Sequence, residues 1–223
     1  PSAYFTITLY TGNATDNRAI TNSANAGDFQ PDWLWYKERS STSEHRSFDS
    51  SRGASKRIEP NNTNAEATDT TNHKSFDTNG FTIGTSGSTN ANGDTYVAWQ
   101  WKCNAGTTST NSDGTVNTTM QLNSTAGFSI ITWTGAGNNT STAGHGLGAI
   151  PDCIIVKNRE DTQNWSVAFP KFETSKLLAL NLDSSFFSAS GLSSYNSSTF
   201  VDGSGSSSED YIAYCFKNIK GYS

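Results

Sequence analysis

Three histidines (His45, His73, His145) and three cysteines (Cys103, Cys153, Cys215) are the residues best suited to nucleophilic, acid–base or metal chemistry. Their spacing assembles none of these. The chain has no G-x-S-x-G elbow, no H-E-x-x-H helix and no phosphate-cradling P-loop. The histidines stand far apart, and the odd cysteine count without C-x-x-C reads as buried free thiols. The adjacent carboxylates Glu160-Asp161 and Glu209-Asp210 read as exposed turn residues. On an extended chain such neighbours point to opposite faces, so they cannot flank one glycosidic bond. Asp69, Asp77, Asp94 and Asp113 lie in turn-like stretches without the spacing of a calcium loop. No catalytic residue, cofactor or metal ligand is therefore expected. A binding loop remains. In Gly144-His145-Gly146-Leu147-Gly148 the glycines permit positive φ and close backbone approach. Trp165 and Tyr195 lie near loops and are the best ring platforms for a ligand. Gly144, His145, Gly146, Trp165 and Tyr195 form the candidate ligand-contacting set, against the plainer explanation of a tight structural loop.

The elements that position these residues must be β. Nearly half of the 223 residues are Ser, Thr, Asn or Gly, and only 16% are charged. A hydrophobic fraction of 33% alone suggests disorder, but aromatics reach 12%, and disordered chains lack them. Strand formers with frequent turn residues fit an ordered all-β protein. A net charge of −5 argues against nucleic-acid binding, which needs a basic face. No apolar run approaches the ~18 residues of a membrane helix, so no membrane insertion is expected. The chain opens on Pro1 and enters a strand pattern at Tyr4, which reads as a processed chain or part of a longer one.

An internal repeat organises the rest. Phe5-Thr-Ile-Thr-Leu-Tyr10-Thr11-Gly12 matches Phe128-Ser-Ile-Ile-Thr-Trp133-Thr134-Gly135. Pro31-Asp32, four apolar residues, Lys37-x-Arg39 matches Pro151-Asp152, four apolar residues, Lys157-x-Arg159. Tyr96-Val-Ala98-Trp-Gln-Trp-Lys102 matches Tyr211-Ile-Ala213-Tyr-Cys-Phe-Lys217. The offset drifts from 123 to 120 to 115, which places insertions between strands. The expected organisation is a first β-domain over 1–103, a polar connector over 104–126 with one short strand, and a second β-domain over 127–223. Each is expected to be a β-sandwich or jelly roll, the two related by duplication. Trp33, Trp35, Trp99 and Trp101 and their apolar counterparts mark the expected core face. Lys37, Arg39, Lys157 and Arg159 read as solvated strand ends or partners of Asp32 and Asp152.

These blocks resemble a known family. Gly-His-Gly-Leu-Gly through Arg159 over 144–159, the closing Tyr-Ile-Ala-Tyr-Cys-Phe over 211–216, Phe48-Asp49-Ser50-x-Arg52-Gly53-Ala54 and Phe76-Asp77-x-x-Gly80-Phe81 look like a domain of otherwise unknown function in phage proteins. That domain is frequent in marine and cyanobacterial phages. The resemblance spans nearly the whole chain and implies a virion structural protein on the outer surface of tail or capsid: a tail fibre, an appendage or a capsid-decoration component. It implies other virion proteins as partners, a homo-oligomer (a trimer included) and contact with host surface glycan. It implies no catalytic residue. The alternative is a carbohydrate-binding module, which needs exposed rings. A hydrolase lacks its constellation.

Overall fold

The computed structural model describes residues 3–23, 27–188, 191–203 and 207–220. Residues 184–208 are rich in serine, and 189–190 and 204–206 of them lie outside the described residues. Among the described residues the chain forms twenty strands and one four-residue helix, and every strand ladder is antiparallel. It divides into two units, residues 1–62 with 66–106 and residues 63–65 with 107–223.

The first unit contains β1 (Phe5–Thr11), β2 (Arg18–Thr21), β3 (Trp33–Glu38), β4 (Arg46–Asp49), β5 (Lys56–Arg57), β6 (Ala67–Thr68), β7 (His73–Asp77), β8 (Gly80–Ile83), α1 (Gly87–Asn90) and β9 (Thr95–Trp101). Its larger sheet runs β1-β9-β3-β4, and a second runs β2-β8-β7. The second unit contains β10 (Ser109–Asn111), β11 (Thr118–Asn123), β12 (Phe128–Ala136), β13 (Thr142–Gly144), β14 (Cys153–Asn158), β15 (Ser166–Phe169), β16 (Glu173–Ala179), β17 (Phe187–Ser188), β18 (Leu192–Ser193), β19 (Thr199–Asp202) and β20 (Ser207–Phe216). Its eight-stranded sheet runs β10-β11-β12-β20-β14-β15-β16-β17, beside a small sheet β13-β19-β18. Residues 104–126, expected as a connector with one short strand, supply both β10 and β11 to that sheet.

Registers in the two units coincide at the offsets of the sequence repeat. Trp33 faces Trp101, and Cys153 faces Phe216. Phe5 faces Trp101, and Phe128 faces Phe216. Leu34 faces Phe48, and Ile154 faces Ala168. In the small sheets Ile20 faces Phe81, as Ala143 faces Phe200. The turns repeat too: His45 and Trp165 each donate their backbone N–H at 2.9 Å to the side-chain oxygen of Asn61 or Asn181.

A carboxylate fixes the end of each central ladder. Asp32, fully buried, accepts N–H bonds from Cys103 at 2.6 Å, Ala105 at 3.0 Å and Gly106 at 2.8 Å, and the Ser50 hydroxyl at 2.6 Å. Asp152 accepts from Asn218 N–H at 2.6 Å and from Lys171 Nζ at 2.8 Å. Among the described residues neither Lys37 nor Lys157 pairs with Asp32 or Asp152, and Lys157 is fully buried rather than at a solvated strand end. Both lysines turn instead to main-chain carbonyls of the following turn, Ser41 at 2.9 Å and Asp161 at 3.1 Å, because the aspartates are taken up by the chain leaving the last strand. Arg159 pairs with Asp210 at 3.5 Å.

Each unit encloses a core drawn from its two larger sheets, giving a β-sandwich-like arrangement; in the first unit β5 and β6 form a further two-stranded sheet. The first core joins Leu34, Tyr36, Phe48 and Ala98 to Ile20, Phe81 and Ile83. The second joins Ile131, Trp133, Ile154, Val156, Ala213 and Cys215 to Ala143, Leu192 and Phe200. Each large side chain so buried contributes about 1.5–3 kcal/mol. The expected core face is thus corrected: Trp33, Trp35, Trp99 and Trp101 lie on the opposite face of the sheet, with Trp33 buried and the others half-buried. Alternation revealed two faces without revealing which one the small sheet covers. Cys103 and Cys215 are buried cysteines outside any disulfide among the described residues; Cys153 is half-buried, and burial pushes its thiol up to about 12.

His73 is wedged into the first core. Its Nδ1 meets the Tyr36 hydroxyl at 2.9 Å, its ring lies 4.3 Å from that of Phe76, and its Nε2 has no partner. Burial lowers its pKa to about 3 from the ordinary 6.5. The corresponding residue of the second core is Leu192.

Two outcomes follow. Asp32→Ala orphans three main-chain N–H groups and should cost about 3 kcal/mol or more, against about 1 kcal/mol for Asp152→Ala; denaturant unfolding compares them. The unfolded chain takes up a proton at His73 that the folded chain refuses. Stability present above pH 6.5 is therefore lost as pH falls toward about 3. His73→Leu should flatten that slope in acid melts, at a neutral-pH cost of about 1 kcal/mol for the orphaned Tyr36 hydroxyl.

Candidate functional site

Between the register-matched residues Ile83 and Tyr96 the first unit has four more residues than the second has between Asp202 and Tyr211, and α1 occupies that stretch. In the first unit the Tyr96 hydroxyl donates to the Gly87 carbonyl at 2.6 Å and accepts from Ala91 N–H at 2.9 Å, so α1 and its flank seal the end of the sandwich. Arg46 adds Nη2 to Ser88 Oγ at 3.3 Å, and the ring of Tyr36 fills the space beneath. The second unit has no α1 counterpart among the described residues. Tyr36 is replaced by Val156 and Arg46 by Ser166. A cavity of about 320 Å³ opens there.

Val156, Leu177 and Leu192 give the cavity an apolar floor, and Asn139, Gln163, Asn164 and Ser166 supply polar lining. Asn158, Asp202 and Tyr211 complete it. Asp202 accepts from the Trp133 indole at 3.0 Å. Asn158 spends its oxygen on the N–H groups of Glu160 and Asp161, at 2.9 and 3.0 Å, which aims its amide nitrogen at Glu209 Oε2, 2.7 Å away. Tyr211 donates to the same carboxylate at 3.1 Å, and its ring stacks on Trp133 at 5.4 Å. Burial, then the bond to Glu209, raises the phenol well above its ordinary pKa. The lining contains no Lys or Arg. Amides, hydroxyls and a carboxylate over an apolar floor suit a neutral, hydroxyl-rich ligand and disfavour an anion.

The loop singled out in the sequence lies elsewhere. Gly144 closes β13, and its carbonyl accepts the Thr118 hydroxyl at 2.9 Å. His145 is fully buried: Nε2 meets the Asn196 carbonyl at 3.2 Å, and Nδ1 accepts Leu147 N–H at 3.2 Å. These two bonds place the proton on Nε2, and burial lowers the pKa, so the ring is a neutral latch. Gly146 has φ +70°, and a Cβ there would sit 2.3 Å from Met120 Sδ. Tyr195 precedes the residue that His145 grips; its hydroxyl donates to the Leu192 carbonyl at 3.0 Å, and burial raises it to about 12. The structure thus brings Gly144, His145 and Gly146 to the turn that carries Tyr195. Trp165 is fully buried, between two residues that line the cavity.

Asn158, Asp202, Gln163 and Tyr211 escaped the sequence reading. Asn158 lay inside the Lys-x-Arg frame, Asp202-Gly203 read as a turn, and Tyr211 read as part of a core strand. The usable signal was the last fall in offset, to 115, which marks the missing residues before β20. Glu209 and Asp210, expected in an exposed turn, belong to β20. They do point to opposite sides: Glu209 to Asn158, and Asp210 to Thr134 Oγ1 at 2.8 Å.

No curated protein and no solved structure matches the chain. The profile of one family, described as a domain of unknown function (DUF7483), matches residues 1–223, and the chain belongs to that family.

Proposed function

We propose that the chain is a structural module on the exterior of a phage particle, as a tail fibre, an appendage or a capsid-decoration component. In this reading one β-sandwich domain is present twice through internal duplication. The observation that carries it is the coincidence of strand registers between the units while their connections differ. Two copies of a fixed framework with variable polar ends suit a particle surface, where rigidity and display are the task and no reaction is needed. The resemblance of the Gly144–Arg159 and Tyr211–Phe216 blocks to phage proteins points the same way. The role assigned is structural and adhesive, with none in catalysis. Electron cryomicroscopy of particles lacking the chain should show an external density lost; an unchanged exterior overturns the assignment.

A second reading, carbohydrate binding, is favoured by the cavity of the second unit. None of the six tryptophans is exposed, so a flat aromatic platform is not its basis. The polar cavity is. Such a site gains from repetition on a particle, because multivalent display compensates for weak single contacts. Calorimetric titration with host surface polysaccharide should show binding that weakens roughly tenfold in Gln163→Ala with Asn139→Ala. Equal binding by that variant removes the cavity from the reading.

A further inference from the structure

We propose that β1 is a dimerisation edge, where two copies of this chain pair their β1 strands antiparallel about Ile7. In β1·β9, Lys102 N–H bonds the Tyr4 carbonyl at 2.8 Å and Gly12 N–H bonds the Asp94 carbonyl at 2.7 Å. Even-numbered residues therefore turn their main-chain groups toward β9, and the alternation turns those of Phe5, Ile7, Leu9 and Thr11 to the open edge. The Thr11 carbonyl is taken by Arg18 Nη1 at 2.6 Å. Ile7 is 45% exposed and Leu9 61%.

The second unit shows what such an edge receives. Phe128, Ile130 and Thr132 stand where Phe5, Ile7 and Leu9 stand, and β11 pairs with them as Asn123 to Phe128, Gln121 to Ile130 and Thr119 to Thr132. There Phe128 and Ile130 are fully buried. Among the described residues no strand does this for β1. The strand also lacks the usual protections of an edge. It reads Phe-Thr-Ile-Thr-Leu-Tyr-Thr, without charge or proline, and its ladder with β9 has no bulge.

A second copy is the occupant these features specify. Pairing about Ile7 sets Phe5 opposite Leu9 of the other copy and Ile7 opposite Ile7, each pair exchanging its main-chain bonds. The Thr11–Arg18 bond is left intact. No like charges meet, because the strand has none. Phe5, Ile7 and Leu9 of both copies share one face and extend the apolar row of Trp99 and Trp101, which face Ile7 and Phe5 in register. The two four-stranded sheets become one. This contact rests on the β1 edge alone and holds under either reading of the function.

Sedimentation velocity on the full chain tests it, with residue-resolved amide exchange. The expected mass doubles with rising concentration, and exchange at Phe5, Ile7 and Leu9 slows about tenfold or more. Ile7→Lys places like charges across the two-fold and should stay at single-chain mass with an unchanged circular dichroism spectrum. A wild-type chain that stays single up to roughly millimolar concentration overturns the proposal. So does an Ile7→Lys variant that folds and associates as tightly as the wild type. If Ile7→Lys fails to fold, wild-type amide exchange decides: equal rates at low and high concentration overturn the proposal.

Discussion

The first unit hangs on the buried carboxylate of Asp32, held against the chain that leaves its last strand; Asp152 repeats the contact in the second with one main-chain N–H and a half-exposed side chain. Asp32 and Asp152 sit at the start of β3 and β14, far in sequence from β9 and β20. Closing so long a loop costs chain entropy, and a one-residue slip would turn every inward side chain outward. A buried carboxylate that takes main-chain N–H groups just past the last strand rewards one register only. It is also intolerant, because those N–H groups have no water to fall back on. The rest of the sandwich, from the small sheets to the turn asparagines Asn61 and Asn181, is arranged around that central pair of strands.

The two units reach similar frameworks with different interiors. In the first, Arg52 is fully buried between Asp49 at 2.6 Å and Glu66 at 3.0 Å, and Arg57 holds Asp69 at 2.5 Å. At the repeat offset the second unit has Phe169, Phe172 and Leu177 in place of Asp49, Arg52 and Arg57. Buried ion pairs stabilise little beyond a well-packed apolar substitute, but they tolerate no missing partner. The apolar version is more forgiving, and it leaves Phe172 82% exposed.

The sequence was most legible where local chemistry and long-range packing agree. The repeat-block strands with aromatic or apolar residues at alternate positions, β1, β3, β9, β12, β14 and β20, appeared where the pattern put them, whereas β2, β7, β13 and β18 of the small sheets carry no such signal. The Pro-Asp frame aligned the central strands without error. Legibility failed where a face or an end is decided by a distant partner. The paired tryptophans marked a face, but the face enclosed by the small sheet carries Leu34, Tyr36 and Ala98. The helix α1 is Gly-Ser-Thr-Asn, with no apolar period to announce it. The glycines around His145 advertised a special backbone correctly, yet that backbone serves to bury the ring. The cavity residues are scattered over several elements, and nothing local distinguishes them from ordinary turn and strand residues.

The four-residue difference before the last strand has a meaning beyond the shape of one site. The cavity end of the second unit goes with a shorter connection and also with two smaller strand side chains, Val156 where the first unit has Tyr36 and Ser166 where it has Arg46. Only the Gly87 carbonyl, the Ala91 N–H and the Ser88 hydroxyl belong to the segment itself; Tyr96, Arg46 and Tyr36 belong to the strands, so filling or emptying this end takes changes in both.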